Sequence, residues 1–274
     1  MYTEYQPSHL LVPYIDSYWE FKGNPDYGMR IHILPDGCTD FIFTLGEVAN
    51  AVEEGSLIMQ PYRSYFVGPM TKYSELVTYA ESVHMFGVRF LPCGLSCFTN
   101  LPLHEFVNSR VSTNEMKAVF DDTFIEKLGE QKHVTDRIRV VEEYLLAYLA
   151  RHYQPADSHV AMAVNMINHS KGKRSVRSLM DDVCLCQRHF ERKFKHYTGF
   201  TPKEYSRIVK FKNAVELLRT TTSANLLTTA VDAGYYDLAH FSKEIKSMSG
   251  NTPASFLSLT VPEETTLTYI EPQR

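Results

Sequence analysis

The residues best suited to chemistry are basic and lie late in the chain. Arg188, Arg192 and Lys195 recur at spacings of four and three, with Glu191 among them. With Phe190 at zero and about 100° per residue, Phe194 and Tyr197 fall within about 40° of it. Arg188, Arg192 and Lys195 then fall near about 160°, 200° and 140°. One side of such a helix is apolar and suits a core. The other presents guanidinium and ammonium donors to phosphates or base edges, which is the chemistry of nucleic-acid binding rather than of catalysis.

A cationic stripe is often only a solvated face, but this one occurs twice. Residues 186–205 align with residues 237–256 at a constant offset. Phe190 pairs with Phe241, Arg192 with Lys243, Phe194 with Ile245 and Lys195 with Lys246. The register continues through Tyr197 and Met248, Gly199 and Gly250, Thr201 and Thr252, Pro202 and Pro253, and Tyr205 and Phe256. Two copies of one unit are the economical reading. The second apolar stripe is Phe241, Ile245 and Met248. Its outer stripe is Ala239, Lys243 and Lys246, flanked by His240 and Ser242.

The elements that must position these stripes follow from local signals. Val176–Val183 leads through Cys184-Leu185-Cys186 into Gln187–Tyr197. Leu226–Ala233 leads through Gly234-Tyr235-Tyr236-Asp237 into Leu238–Met248. Helix, tight turn, helix is the grammar of a helix-turn-helix unit. Asp237 suits an N-cap and Cys186 does not. Gly199 and Gly250 suit the left-handed position that ends a helix. Thr201-Pro202-Lys203-Glu204 reads as a capping box with proline at the first helical position, starting a connector helix over 202–219. Such a connector can set two helices into successive major-groove segments about 34 Å apart.

Charge agrees with this division. The net charge of -4 is the sum of 12 basic against 20 acidic residues in 1–156 and 16 against 12 in 157–274. From Lys171 to Lys212 there are 12 basic and 4 acidic residues. The basic part is expected to meet a polyanion. The five cysteines, Cys38, Cys93, Cys97, Cys184 and Cys186, lack the paired spacing of a zinc site and are expected to be reduced thiols. No apolar run approaches the roughly 18 residues of a membrane span. The opening MYTEYQPSHL has no signal-peptide pattern, so a cytoplasmic, nucleoid-associated protein is expected.

The first hundred residues read as β-rich. Arg30–Leu34, Asp40–Leu45, Ser64–Val67 and His84–Phe90 are short, branched and aromatic segments, and Leu34-Pro35-Asp36-Gly37 is a turn. Residues 112–153 read as helical. There Val134, Ile138, Val141, Leu145 and Leu149 form a stripe that packs on its own domain or offers a dimer face. Gln154-Pro155-Ala156-Asp157 marks a boundary. The expected organisation is multidomain α+β. A β-rich, barrel- or jelly-roll-like regulatory, effector-binding or dimerisation domain with a helical extension occupies 1–155. An all-α domain with two helix-turn-helix motifs and a linker helix occupies 157–260. A flexible tail occupies 261–274.

Leu179 to Pro202, and Ala230-x-x-x-Gly234-Tyr235 through Gly250-x-x-Pro253, resemble the signature of the AraC/XylS family of bacterial regulators. The resemblance implies double-stranded operator DNA as partner and base reading dominated by the first unit. By it, Arg188 and Arg192 hydrogen-bond base edges such as guanine O6 and N7, and Glu191 accepts from cytosine N4. Lys195 and the basic residues Lys171, Lys173 and Arg174 meet phosphate. Met180 and Cys184 stand where the family prefers Ala and Gly, and Cys186 where it prefers Ser. Lys243 stands for Arg and Ile245 for Phe. Ala239 offers only a methyl. The second unit is therefore expected to supply mostly phosphate contacts, through Ser242 and Lys246, with Ala239, His240 and Lys243 as its base-facing candidates.

Tyr14–Trp19, Leu34–Asp40, Val67-Gly68-Pro69 and Phe86–Pro92 resemble, more diffusely, a sensor-type domain attached to some family members. That implies an effector, small molecule or protein, and allows RNA polymerase and a second copy of the chain as partners. No cofactor and no enzymatic activity are expected. Two rivals stand beside this reading. In one the β-rich half is a cupin-like metalloenzyme, with His32, Asp36, Asp40 and His84 converging, although no His-x-His occurs in 1–156. In the other the chain is a small-molecule sensor with no DNA role.

Overall fold

The computed structural model describes residues 2–53, 55–116, 119–120, 122–152, 154–183, 185–220, 226–257 and 268–270. The β-rich part contains β1 (Tyr2–Tyr5), β2 (Ile15–Gly23), β3 (Met29–Ile33), β4 (Thr39–Thr44), β5 (Asn50–Ala51), β6 (Ser64–Val67), β7 (Ser74–Thr78), β8 (Val83–Phe90) and β9 (Arg110–Ser112). Helices α1 (Asp122–Gly129) and α2 (Val134–His152) follow. The strands form two antiparallel sheets, one ordered β1-β2-β8-β4-β6-β9 and one containing β3, β7 and β5. The last described residues, β10 (Thr268–Ile270), add to the edge of the second sheet beside β3. Three residues of the tail expected to be flexible are thus a strand, while 261–267 and 271–274 lie outside the described residues.

The period of two along each strand divides the larger sheet into two faces. Tyr18, Phe41, Phe43, Phe66, Phe86, Val88 and Phe90 face α1 and α2. Trp19, Phe21, Ile42, Tyr65, Val67 and Met85 face Ile31 and Leu76 of the second sheet. Three layers result, helices on sheet on sheet, as expected of a sheet that buries both faces. Trp19 lies across β8 where a Cβ at Gly87 would come within 2.0 Å of the indole, so only glycine fits there. The stripe on α2 packs inward, with Val141 and Leu145 fully buried against the sheet. That settles its role as core.

The helical part contains α3 (Ser158–His169), α4 (Val176–Val183), α5 (Gln187–Thr198), α6 (Pro202–Thr220), α7 (Leu226–Asp232), α8 (Leu238–Ser249) and α9 (Pro253–Leu257). Asp157 caps α3 by accepting from the backbone N–H groups of His159 and Val160. One core unites these helices, built on Phe190, Phe194, Phe211, Phe241, Ile245 and Leu218. Leu34 and Cys93 from the β-rich part are buried in that same core. Among the described residues no helix is long and apolar enough to cross a membrane.

Candidate nucleic-acid interface

Each copy of the repeat is a short helix, a tight turn and a longer helix. In the first copy, α4 buries Leu179 and Val183, and α5 buries Phe190, Phe194 and Thr198. In the second, α7 buries Thr229 and Ala230, and α8 buries Phe241, Ile245 and Met248. Deep burial of these stripes fixes the rotation of α5 and α8 about their axes. The opposite faces therefore look outward. Arg188, Arg192 and Lys195 are exposed on α5; Ala239, His240, Lys243 and Lys246 are exposed on α8.

The helix ends behave as their sequences require. Asp237 accepts from the His240 backbone N–H at 2.7 Å, whereas Cys186 makes no side-chain cap. Gly199 and Gly250 end α5 and α8 with φ of 83° and 75°. Thr201 Oγ1 accepts from the Glu204 N–H at 3.1 Å, and Glu204 Oε2 accepts from the Thr201 N–H at 2.7 Å. That reciprocal pair starts α6, whose 19 residues span about 28 Å. Arg207 on α6 donates two bonds of 3.0 Å to Glu244 on α8. Lys193 on α5 donates at 2.6 Å to Asp157, the cap of α3. Both outward helices are thereby tied to the scaffold by charge-assisted bonds.

The β-rich part touches the C-terminal ends of both helices. The segment between β6 and β7, Gly68 to Tyr73, reaches α5 and α8 together. A Cβ at Gly199 would lie 2.5 Å from Pro69 Cγ, and one at Gly250 would lie 2.6 Å from the Tyr73 ring. The Tyr73 N–H donates to the Met248 carbonyl at 2.9 Å. Asn108 holds the segment: its N–H donates to the Pro69 carbonyl at 2.9 Å, and its side-chain oxygen accepts from the Thr71 N–H at 2.8 Å. Beside it, the short turn Leu103–Phe106 packs on α5, with His104 and His196 ring centres 6.4 Å apart. Burial holds the His196 pKa below its ordinary value, with the nearby His104 acting in the same direction.

The same segment borders a cavity between the two sheets. Trp19, Ile31, Ile42, Met70, Leu76 and Met85 line it, and three charged groups join them. Arg89 lies within 3.4 Å of both Asp36 and Asp40, and Trp19 Nε1 donates to Asp40 at 2.7 Å. Burial and the neighbouring Asp36 charge push the Asp40 carboxyl up to about 6, against the opposing pull of Arg89. Arg110, the third charged group, donates to Ser74 Oγ at 2.8 Å. The four residues of the metalloenzyme rival are distributed differently. Asp36 and Asp40 both face Arg89, while His84 pairs with Glu20 at 2.9 Å and His32 lies 3.7 Å from Glu75. Among the described residues no group of three or more His, Cys, Asp or Glu is arranged to hold a metal ion.

Comparison with known proteins agrees with this architecture. A family model described as a helix-turn-helix domain matches residues 179–258, and one described as a domain of unknown function matches residues 3–112. The fold of the whole chain is similar to that of ToxT from Vibrio cholerae. The likeness covers 88% of this chain and 98% of that chain at 9% identity, with a TM-score of 0.52. A ToxT structure from Vibrio cholerae O395 bound to (E)-4-(8-methylnaphthalen-1-yl)but-3-enoic acid matches over the same shares at 9% identity, with a TM-score of 0.50. No curated protein matches the sequence significantly.

Within the helix-turn-helix domain the basic candidates divide. Arg188, Arg192, Lys195, Lys243 and Lys246 stand on the two outward faces, with half-buried Ser242 beside them. Glu191 accepts from Gln187 at 2.9 Å, and Arg192 lies 3.2 Å from the His189 ring nitrogen. Two of the basic residues ahead of α4 also make contacts within the chain. Lys173 donates to the Asp232 carbonyl at 2.6 Å, bracing α7 beside Gly234. Arg174 pairs with Asp182 and Ser178 across α4. Lys171 lines a cleft that also holds Asp36, Tyr205 and Lys212. Lys173 and Arg174 thus make internal contacts, while Lys171 is exposed at the cleft. The 68–73 segment and the Asp40–Arg89–Arg110 group escaped the residue-by-residue reading. Their traces in the sequence were Leu34–Asp40, Val67-Gly68-Pro69 and Phe86–Pro92.

Proposed function

We propose that the protein is a sequence-specific DNA-binding transcription regulator controlled through its β-rich domain, with the division between regulatory and DNA-binding parts at 155–157. In this reading Arg188 and Arg192 of α5 bond base edges, with Glu191 accepting beside them. Lys195, Ser242 and Lys246 meet phosphates, and Ala239, His240 and Lys243 face the groove with little base discrimination. The observation that carries the reading is the repetition of one arrangement: two helices buried along one stripe in a single core, each leaving a cationic stripe exposed. An arrangement with that symmetry and a rigid connector fits one continuous polyanion better than two unrelated ligands.

Control through the β-rich domain rests on the 68–73 segment, which borders the cavity at Met70 and touches α5 and α8 at Pro69 and Tyr73. The acid-bound ToxT structure of the same fold supports a small-molecule effector for this chain as well. RNA polymerase and a second copy of the chain are further proposed partners, in the cytoplasm at the nucleoid. The test is binding of the purified chain to the duplex upstream of its own gene against a random duplex of equal length. Preference for the former, lost in Arg188→Ala, supports the reading. Equal binding to both, or none, contradicts it.

A further inference from the structure

The cavity between the two sheets is apolar around most of its wall, and its charged residues are not equally engaged. Asp40 is committed to Arg89 and Trp19. Arg89 is committed to Asp36, Asp40 and Glu4, the last at 3.2 Å. Arg110 differs. Its guanidinium is partly buried and donates to Ser74 Oγ, and among the described residues no carboxylate lies within 4.0 Å of it. A guanidinium carries five donors in a fixed fork that matches a carboxylate. Arg110 pairs with Val67 across β6 and β9 and shares the cavity wall with Met70 of the 68–73 segment, so its open donors lie where cavity and segment meet.

Size narrows the ligand. The free space is about 60 Å³, well short of the roughly 150 Å³ that admits a benzene ring without adjustment. As the cavity stands it holds about two or three carbons. Met70 and Met85 are flexible thioethers that can yield to a branched body of about four or five carbons or to a small ring. A long acyl chain has no room.

We propose that this cavity is a binding site for a small apolar monocarboxylate, its body against Trp19, Ile42 and Leu76 and its carboxylate on the Arg110 fork. This deepens the proposed effector control and rests on that reading only for its regulatory meaning. Binding itself is independent of DNA. A carboxylate on Arg110 sits against Met70, and so at the root of the segment that touches both recognition helices.

The test is thermal unfolding and calorimetry of the full chain without DNA, using isovalerate, benzoate, isovaleramide, isoamylamine and oleate. Isovalerate or benzoate raises the unfolding temperature and gives saturable heat; the amide and the amine do neither. Arg110→Gln weakens acid binding on the order of tenfold or more, and Arg110→Lys restores part of it. Near-UV circular dichroism confirms that each variant is folded. Leu76→Phe, which fills the cavity and keeps Arg110, abolishes binding. Four results each overturn the proposal: amide binding as tight as acid binding, unchanged affinity in folded Arg110→Gln, oleate bound while the short acids are not, and no binding of either short acid. Duplex binding, measured separately, distinguishes failure of this site from failure of the DNA-binding reading.

Discussion

The backbone N–H of Tyr73 donates to the carbonyl of Met248 at 2.9 Å, joining the β-rich domain to the last turn of the second recognition helix. Four residues earlier in the same segment, Pro69 packs against the glycine that ends the first recognition helix. The domain that holds the cavity thus holds both α5 and α8 by their C-terminal ends.

Gly199→Ala tests that contact. The residue has φ of 83°, which alone costs on the order of 1 kcal/mol for a residue with a Cβ, and the new Cβ would come 2.5 Å from Pro69. Gly55→Ala provides the reference, because Gly55 has φ of 77° with nothing within 4 Å of its Cβ position. The expected result is a larger fall in unfolding temperature for Gly199→Ala, together with altered DNA affinity in that variant alone. Equal effects would mean that the Pro69 contact contributes nothing.

The two helix starts make opposite predictions. Asp237→Ala removes a cap that bonds the His240 N–H and costs about 1 kcal/mol of stability. Cys186→Ser supplies a cap where none exists and adds about 0.5–1 kcal/mol. Urea unfolding of both variants checks the pair.

Asp40 gives the β-rich domain a pH signature. Its folded pKa of about 6 lies above the ordinary carboxylate value, because burial and Asp36 disfavour its charge. Protonation therefore favours the folded state. The contribution is complete below about pH 4 and is lost as pH rises through about 6. Asp40→Asn lacks this dependence, so its stability relative to the native chain improves from pH 5 to pH 7.5. Glu20 and Asp157, whose pKa values are lowered by hydrogen bonds and nearby cations, act in the opposite sense in both proteins and cancel. Chemical unfolding at the two pH values checks the sign; no change in the difference contradicts it.

How much of this was legible depended on whether the information was local. The paired helices stood out because Phe190–Phe194 and Phe241–Ile245 obey a helical period and repeat in register, and each turn has its own capping residue. Strand β2 was harder. Tyr18 and Trp19 are buried on opposite faces of one sheet, so the apolar–polar alternation that signals a half-buried strand is missing. Ser74–Thr78 is too short and polar to be distinguished from a loop. The role of the α2 stripe needed the facing sheet, because an apolar stripe looks alike toward a domain core or a dimer partner. The contact between Tyr73 and Met248 joins distant parts of the chain and leaves no local pattern. The internal contacts of Lys173 and Arg174 were hidden for a related reason: nothing nearby shows that the Asp232 carbonyl and Asp182 would engage them.

Lys246 separates electrostatic from sequence-reading contacts. Exposed on the outward face of α8, Lys246→Ala should weaken binding to all duplexes alike and reduce the salt slope by about one unit. Affinity measured from low to moderate salt on two unrelated duplexes checks this.

Arg192→Ala bears most directly on the base-reading role of α5. The measurement is fluorescence anisotropy with a duplex recovered by selection from random sequence on the native chain, compared with the unselected pool. The expected loss is about 1–3 kcal/mol on the selected duplex, with little change on the pool. Equal weakening on both would show that Arg192 meets only phosphate and would contradict the account.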